Sequence, residues 1–168
     1  MQDFTFKMID NETYAVMSYS GDEKEVTVPS EYLERPVTIL FDDIFKGHTE
    51  IEKVNIPDTV TDIGGFVFDG CTSLKEIKLP AMLQNMWQYA FVRSSIEKID
   101  IPAGVKYIIP FTFKDCKDLK EVTIHEGTIG IRALAFQNCT GLRKVTAPSD
   151  IVIDKDAFNG CTELIINK

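Results

Sequence analysis

Phenylalanine recurs along this chain at Phe45, Phe68, Phe91, Phe113, Phe136 and Phe158, in steps of 23, 23, 22, 23 and 22 residues. Other apolar positions keep the same period. Five residues before each Phe stand Leu40, Ile63, Met86, Ile108, Ile131 and Ile153. Eight before stand Val37, Val60, Leu83, Val105 and Thr128, with Ile151 displaced by a one-residue deletion. After each of the first five Phe residues a polar stretch leads to an apolar trio: Ile51, Val54, Ile56; Leu74, Ile77, Leu79; Ile96, Ile99, Ile101; Leu119, Val122, Ile124; Leu142, Val145, Ala147. The last two members of each trio flank one polar residue, and this period of two predicts a short strand with one buried face. Strands one period apart run parallel, about 4.8 Å from each other. Pro57, Pro80, Pro102 and Pro148 follow the strands, where a missing N–H does least harm, and His125 takes that place once.

One copy of this pattern cannot bury its own apolar face, so the copies stack. A fixed period of roughly 20–29 residues around L-x-x-L-x-L is the signature of a leucine-rich-repeat solenoid. The expected fold class is therefore an α/β leucine-rich-repeat solenoid, right-handed, mostly β and irregular, with a parallel sheet on one side. Gly, Pro and one-residue indels predict a largely irregular opposite wall. The expected organisation is one domain over residues 1–168: a capping hairpin over 1–22, then about six stacked repeats over 23–168. In the cap, Phe4, Phe6 and Met8 alternate, Asp10, Asn11 and Glu12 read as a turn, and Tyr14 and Val16 resume the alternation. Val26 opens the first repeat strand. The long spacing from Pro29 to Phe45 predicts a small protruding loop over 31–36. At the other end Leu164, Ile165 and Ile166 break the alternation with no polar cap behind them. That predicts either a truncated array or a homodimer contact through Leu164 and Ile166.

The clearest copy is Ile56-Pro-Asp-Thr-Val-Thr-Asp-Ile-Gly-Gly-Phe-Val-Phe-Asp-Gly-Cys-Thr-Ser-Leu-Lys-Glu-Ile77. It resembles the repeat of the BspA-like leucine-rich-repeat family. The lead-in Tyr14-Ala-Val-Met-Ser-Tyr-Ser-Gly21 and the stretch from Val26 to Ile39 are similar to that family's opening as well. The resemblance covers nearly the whole chain. It implies a bacterial or protozoan surface or secreted protein, engaged in adhesion to other proteins, with no catalytic residues.

Charge narrows the partners. The net charge is −8, of which residues 1–50 carry −7 (11 acids, 4 bases) and residues 51–168 carry −1 (15 acids, 14 bases). Nucleic acid is a poor partner for such a surface. No run of 18 apolar residues predicts membrane insertion. The chain starts without a basic and apolar leader, so the expected location, extracellular or cell surface, has the cytoplasm as its alternative.

Candidate chemistry follows the repeat. Cys71, Cys116, Cys139 and Cys161 each lie three residues after a repeat Phe, with Ser94 and His48 at the same position elsewhere. Stacking places them in a buried column. A disulfide needs converging Cβ atoms and zinc needs ligands converging on a point, and a column offers neither. His48 and His125 lie three repeats apart, and no nucleophile, base and orienting acid converge. No enzyme, cofactor or metal site is therefore expected. The expected function is non-enzymatic protein binding, in adhesion or surface recognition, with an intracellular scaffold or effector-type module as the alternative. Ahead of each strand runs a charge pair: Lys24-Glu25, Glu52-Lys53, Lys75-Glu76, Glu97-Lys98, Lys120-Glu121 and Arg143-Lys144. Alternating signs down these columns favour correct stacking. The neighbouring exposed column supplies the candidate partner-binding residues Asn55, Lys78, Asp100, Thr123 and Thr146. Trp87, Tyr89, Ile109 and Phe111 form a second candidate surface, an apolar patch on the opposite wall.

Overall fold

The computed structural model describes residues 2–10 and 12–168. The chain opens with an antiparallel hairpin, β1 (Asp3–Asp10) and β2 (Thr13–Ser20). Asn11 of the expected turn lies outside the described residues. Asp10 closes the hairpin: its Oδ1 accepts from the N–H groups of Glu12 (2.9 Å) and Thr13 (2.8 Å). Next come β3 (Glu25–Thr27), β4 (Glu31–Tyr32) and β5 (Arg35–Leu40). The rest of the chain adds β6 (Lys53–Asn55), β7 (Asp62–Ile63), β8 (Asn85–Met86), β9 (Lys98–Ile101) and β10 (Tyr107–Ile108). It ends with β11 (Glu121–Ile124), β12 (Gly130–Ile131), β13 (Lys144–Thr146), β14 (Val152–Ile153) and β15 (Ile165–Asn167).

These elements wind into a leucine-rich-repeat solenoid of about seven turns with parallel sheets. No helix occurs among the described residues, so the architecture is β and turn throughout. The first wall is the expected strand row: β3 pairs β6, and β9, β11, β13 and β15 form a second ladder, all parallel. A second wall, not foreseen from the sequence, is made of two-residue strands after the longer β5. β5, β7 and β8 continue the hairpin's sheet, and β10, β12 and β14 form another.

The third wall, expected to be irregular, consists of turns without helix, and those turns repeat one geometry. Each turn brackets its Phe with residues in the left-handed region: Phe66 (φ 58°) and Gly70 (73°), Tyr89 (64°) and Arg93 (55°), Phe111 (66°) and Asp115 (58°), Leu134 (61°) and Asn138 (60°). Such φ values are uncommon outside glycine and each costs roughly 1–3 kcal/mol. What offsets them is a turn-to-turn backbone ladder. The Phe68 N–H donates to the Ala90 carbonyl at 2.8 Å, Phe91 to Thr112 at 3.0 Å, Phe113 to Ala135 at 2.9 Å and Phe136 to Ala157 at 2.9 Å. Behind this wall the rings stack in one column, with centroids 5.6, 4.9, 5.1, 5.0 and 5.1 Å apart from Phe45 to Phe158. The Phe period of the sequence is thus a physical contact from turn to turn.

The segment over 31–36 also departs from a plain loop. It is a miniature hairpin in which Tyr32 stacks on Phe6 at 4.1 Å, tying the first turn to the cap. Its tip, Leu33 (φ 48°) and Glu34 (φ 60°), has the conformation that Asn-Gly normally fills.

Candidate protein-binding surface

On the first wall the charge columns do what their alternation predicts, except in one place. Lys24 reaches Glu52 at 2.7 Å and Lys53 reaches Glu25 at 2.7 Å, locking β3 to β6. Further along, Lys120 reaches Glu97 at 2.6 Å, and Glu121 receives Lys144 at 2.8 Å and Lys98 at 3.6 Å. Hydrogen bonds from Lys53 and then Asn55 hold the Glu25 carboxyl below its ordinary range. Lys120 does the same for Glu97, and Lys144 for Glu121.

The exception is the turn between β6 and β9. Its strand residues, 75–79, make one isolated bridge, Glu76 to Lys98, and no backbone hydrogen bond to β6. Lys75 leaves the column for Asp118, 3.3 Å away. Among the described residues Glu76, Lys78 and Asp100 make no ion pair or side-chain hydrogen bond, although the sequence sets each beside an opposite charge. A cleft of about 650 Å³ opens here, walled by Lys53, Asn55, Lys98 and Asp100, floored by residues 76–79, and ending at His125. Lys78-Leu79 stands where neighbouring strands carry Asn55-Ile56, Asp100-Ile101 and Thr123-Ile124, so Leu79 replaces a β-branched residue there.

The candidate column therefore divides. Asn55, Lys78 and Asp100 line the cleft. Thr123 and Thr146 pair with each other in the regular ladder, half-buried. Glu76, Lys53, Lys98 and His125 also line the cleft and were not singled out as partner-binding residues. The charge columns were the available signal for the first three, but they read as register control.

The candidate aromatic patch divides as well. Tyr89 and Phe111 belong to a stacked row on the third wall: Phe66 to Tyr89 at 4.8 Å and Tyr89 to Phe111 at 5.1 Å, all half-buried. Trp87, 54% exposed, and Ile109 line a different cavity of about 440 Å³ on the second wall. It opens where β8 and β10 fail to pair, and Tyr107, Lys106 and Asn85 complete its lining. Tyr107 went unnoticed in the sequence, because its position in the repeat is polar or small in neighbouring turns (Asp62, Asn85, Gly130).

The four thiols are free and lie in the expected column. Each S–H donates to the carbonyl of the repeat Phe one turn back: Cys71 to Phe45 at 3.1 Å, Cys116 to Phe91 at 2.9 Å, Cys139 to Phe113 at 3.0 Å and Cys161 to Phe136 at 3.3 Å. Burial pushes the Cys71 thiol up to about 12. The neighbouring Cys116 and Cys161 thiols, together with burial, raise Cys139. Cys161, in the last turn, is only half-buried. His48 holds the same column position and its Nδ1 lies 2.6 Å from Glu50, while His125 sits at the cleft. Among the described residues no three His, Cys, Asp or Glu side chains converge to hold a metal ion. No helix among them is long and apolar enough to cross a membrane.

Comparison with known proteins agrees with this geometry. Among solved structures, a leucine-rich-repeat protein of T. pallidum is 26% identical, with a TM-score of 0.84 over 97% of this chain and 80% of that one. A leucine-rich cell surface protein of Faecalibacterium prausnitzii is 27% identical, with a TM-score of 0.76 over 97% of this chain. The pneumococcal vaccine antigen PcpA, at 20% identity and a TM-score of 0.78 over 98% of this chain, shares the fold. The chain spans 47% of the length of each of the last two. No curated protein matches it. The model of the BspA type leucine-rich-repeat region matches residues 38–165 in 6 copies, and the chain belongs to that family.

Proposed function

We propose that this solenoid is a non-enzymatic protein-binding module of a bacterial cell surface, engaged in adhesion or recognition. Membership of a repeat family that is generally protein-binding supports the coarse reading. The surface location is supported by the likeness to a protein described as a leucine rich cell surface protein. The observation that carries the choice of face is the cleft at the central turn, where Asn55 lies beside Lys78 and Asp100, whose charges make no ion pair. The second candidate contact is Trp87 with Ile109, beside Tyr107. Tyr89 and Phe111, Thr123 and Thr146 serve as flanking contacts in this proposal. An intracellular scaffold is the other reading, favoured by four cysteines that remain thiols. The expected homodimer contact through Leu164 and Ile166 gains no support: Leu164 packs against the core, and only Ile166 is exposed.

The test has two arms. Antibody labelling of intact cells of the source bacterium should detect the protein, and detection only after lysis would favour the intracellular reading. Immobilised protein should retain a partner from extracellular matrix extract and lose it on Asp100→Lys or Trp87→Ala. Retention unchanged in both variants would remove both proposed faces.

A further inference from the structure

The rungs of the second wall fail at one place. On either side of it each turn donates to the turn before: Gln84 to the Thr61 carbonyl at 2.8 Å and Trp87 to Ile63 at 2.9 Å, then Ile129 to Lys106 at 2.8 Å and Arg132 to Ile108 at 2.8 Å. By the same pattern Lys106 would donate to Gln84 and Ile109 to Met86, and neither bond forms. The cavity of about 440 Å³ lies at this break. Small-molecule sites span roughly 300–1,000 Å³. The opening is local, since the Phe91 and Phe113 rings of the same two turns still stack at 5.1 Å.

The lining is polar, aromatic and cationic at once. Its residues carry the main-chain N–H groups of Lys106 and Ile109 and the carbonyls of Gln84 and Met86, all without a backbone partner. Such groups are seldom left unpaired, so they favour a guest that both donates and accepts over an apolar side chain. Two amides add to them. Thr61 donates to one Asp62 oxygen at 2.6 Å and Asn85 Nδ2 to the other at 2.8 Å, which holds the Asn85 amide and leaves its Oδ1 free. Among the described residues the Gln84 amide has no partner. Trp87 is 54% and Tyr107 39% exposed. The Arg132 guanidinium covers the Tyr107 ring at 4.3 Å from the side of β12, and the cavity lies on the side of β8. Lys106 makes no ion pair, only a bond to the Gly127 carbonyl at 3.2 Å, and no carboxylate lines the cavity. A cationic guest is therefore disfavoured and an anionic one favoured.

We propose that this cavity binds an acidic pyranose, a sugar ring bearing a carboxylate. Sugar hydroxyls donate and accept, as the free main-chain groups and the two amides require. The axial C–H bonds on the ring face suit the exposed aromatic side chains. The carboxylate accepts from Lys106. This goes beyond the protein-binding reading, which needs only apolar contact at Trp87.

Trp87 is the one tryptophan of the chain, so its emission reports on the cavity. The probes are methyl β-glucuronide and its neutral counterpart, methyl β-glucoside. The glucuronide should change that emission and move the amide resonances of Lys106 and Ile109, with a dissociation constant on the order of 1 mM for a ligand of its size. The glucoside should bind about three- to fivefold more weakly at low salt. Lys106→Gln should make the two sugars equal, and Gln84→Leu should weaken both, each with an unchanged melting temperature. Equal binding of the two sugars by the parent, binding that leaves Trp87 emission unchanged, no binding, or Gln84→Leu binding as tightly as the parent overturns the proposal. If both sugars fail while a captured protein partner is still lost on Trp87→Ala, the sugar site falls and the protein-binding reading stands. If the glucuronide binds while no protein is captured, the sugar site stands and that reading falls.

Discussion

Two stretches of the first wall share one sequence pattern and differ in structure. From β9 through β11 to β13 every strand pairs in register, and the lysines and glutamates between them close into ion pairs. At residues 75–79, with Lys-Glu at the same positions and the same Ile-x-Leu-Pro ending in outline, pairing fails on one side and nearly fails on the other. Yet the turn is not loose elsewhere. Ile77 and Leu79 are buried, Phe68 and Phe91 stack at 4.9 Å, and the Phe68 and Phe91 N–H groups both reach the next turn. A solenoid turn is therefore held by several independent columns, and one can open without the others.

The sharpest way to break this comparison is in the core. Phe91→Ala, beside the open turn, and Phe136→Ala, in the regular ladder, should each cost about 3–5 kcal/mol by urea denaturation, since both rings are fully buried between two others. A much smaller cost for Phe91→Ala would mean that the opening runs through the core. The thiols report on the same question. With a thiol reagent near neutral pH, Cys161 should react first, while Cys71, Cys116 and Cys139 react only on unfolding. Cys71 reacting as fast as Cys161 would show that the open turn exposes its neighbour's core.

A smaller effect tests why the strand is open. If Lys78-Leu79 is the cause, Lys78→Thr with Leu79→Ile should stabilise the protein by about 1 kcal/mol. Hydrogen exchange should then show new protection at residues 77–79. No stabilisation would point instead to a constraint carried by the neighbouring turns.

What the sequence could and could not reveal follows from the same physics. The Phe, strand and cysteine columns were legible because burial imposes one residue type at one register, and a period of 22 or 23 makes the repetition visible. The third wall was legible as turns rather than helix, but not its repeated left-handed geometry. Left-handed positions there are filled by Phe66, Tyr89, Phe111 and Leu134 rather than glycine, so the usual turn signal is missing. The tip Leu33-Glu34 was silent for the same reason. The second wall was invisible because a two-residue strand has no period to detect. The cleft was half legible: Asn55, Lys78 and Asp100 were identified as one exposed column, but pairing depends on the balance between neighbours, and the columns on either side look alike in sequence. Trp87 and Ile109 were singled out as part of an apolar patch, whereas Tyr107 was not, and the three line one cavity.

The weakest forces distinguish the two stretches last. Glu25 is exposed and Glu97 and Glu121 are half-buried, and their lysine partners hold each carboxyl below its ordinary value of 4.5. A carboxyl whose folded value is depressed contributes its stability above the unfolded value and loses it as pH falls through the folded one. The melting temperature should therefore decline from near pH 4.5 downward, as these pairs and the other carboxylates with depressed values are protonated. Glu97→Gln with Glu121→Gln, which removes three pairings of the regular ladder, should lower the melting temperature slightly at neutral pH and flatten that decline. Because exposed pairs are screened, the difference from the parent should shrink in molar salt. A decline below pH 4.5 as steep in the double variant as in the parent would show that the ladder's ion pairs set the order of the turns without holding them together. The paired and unpaired stretches of the wall would then differ in backbone bonding alone.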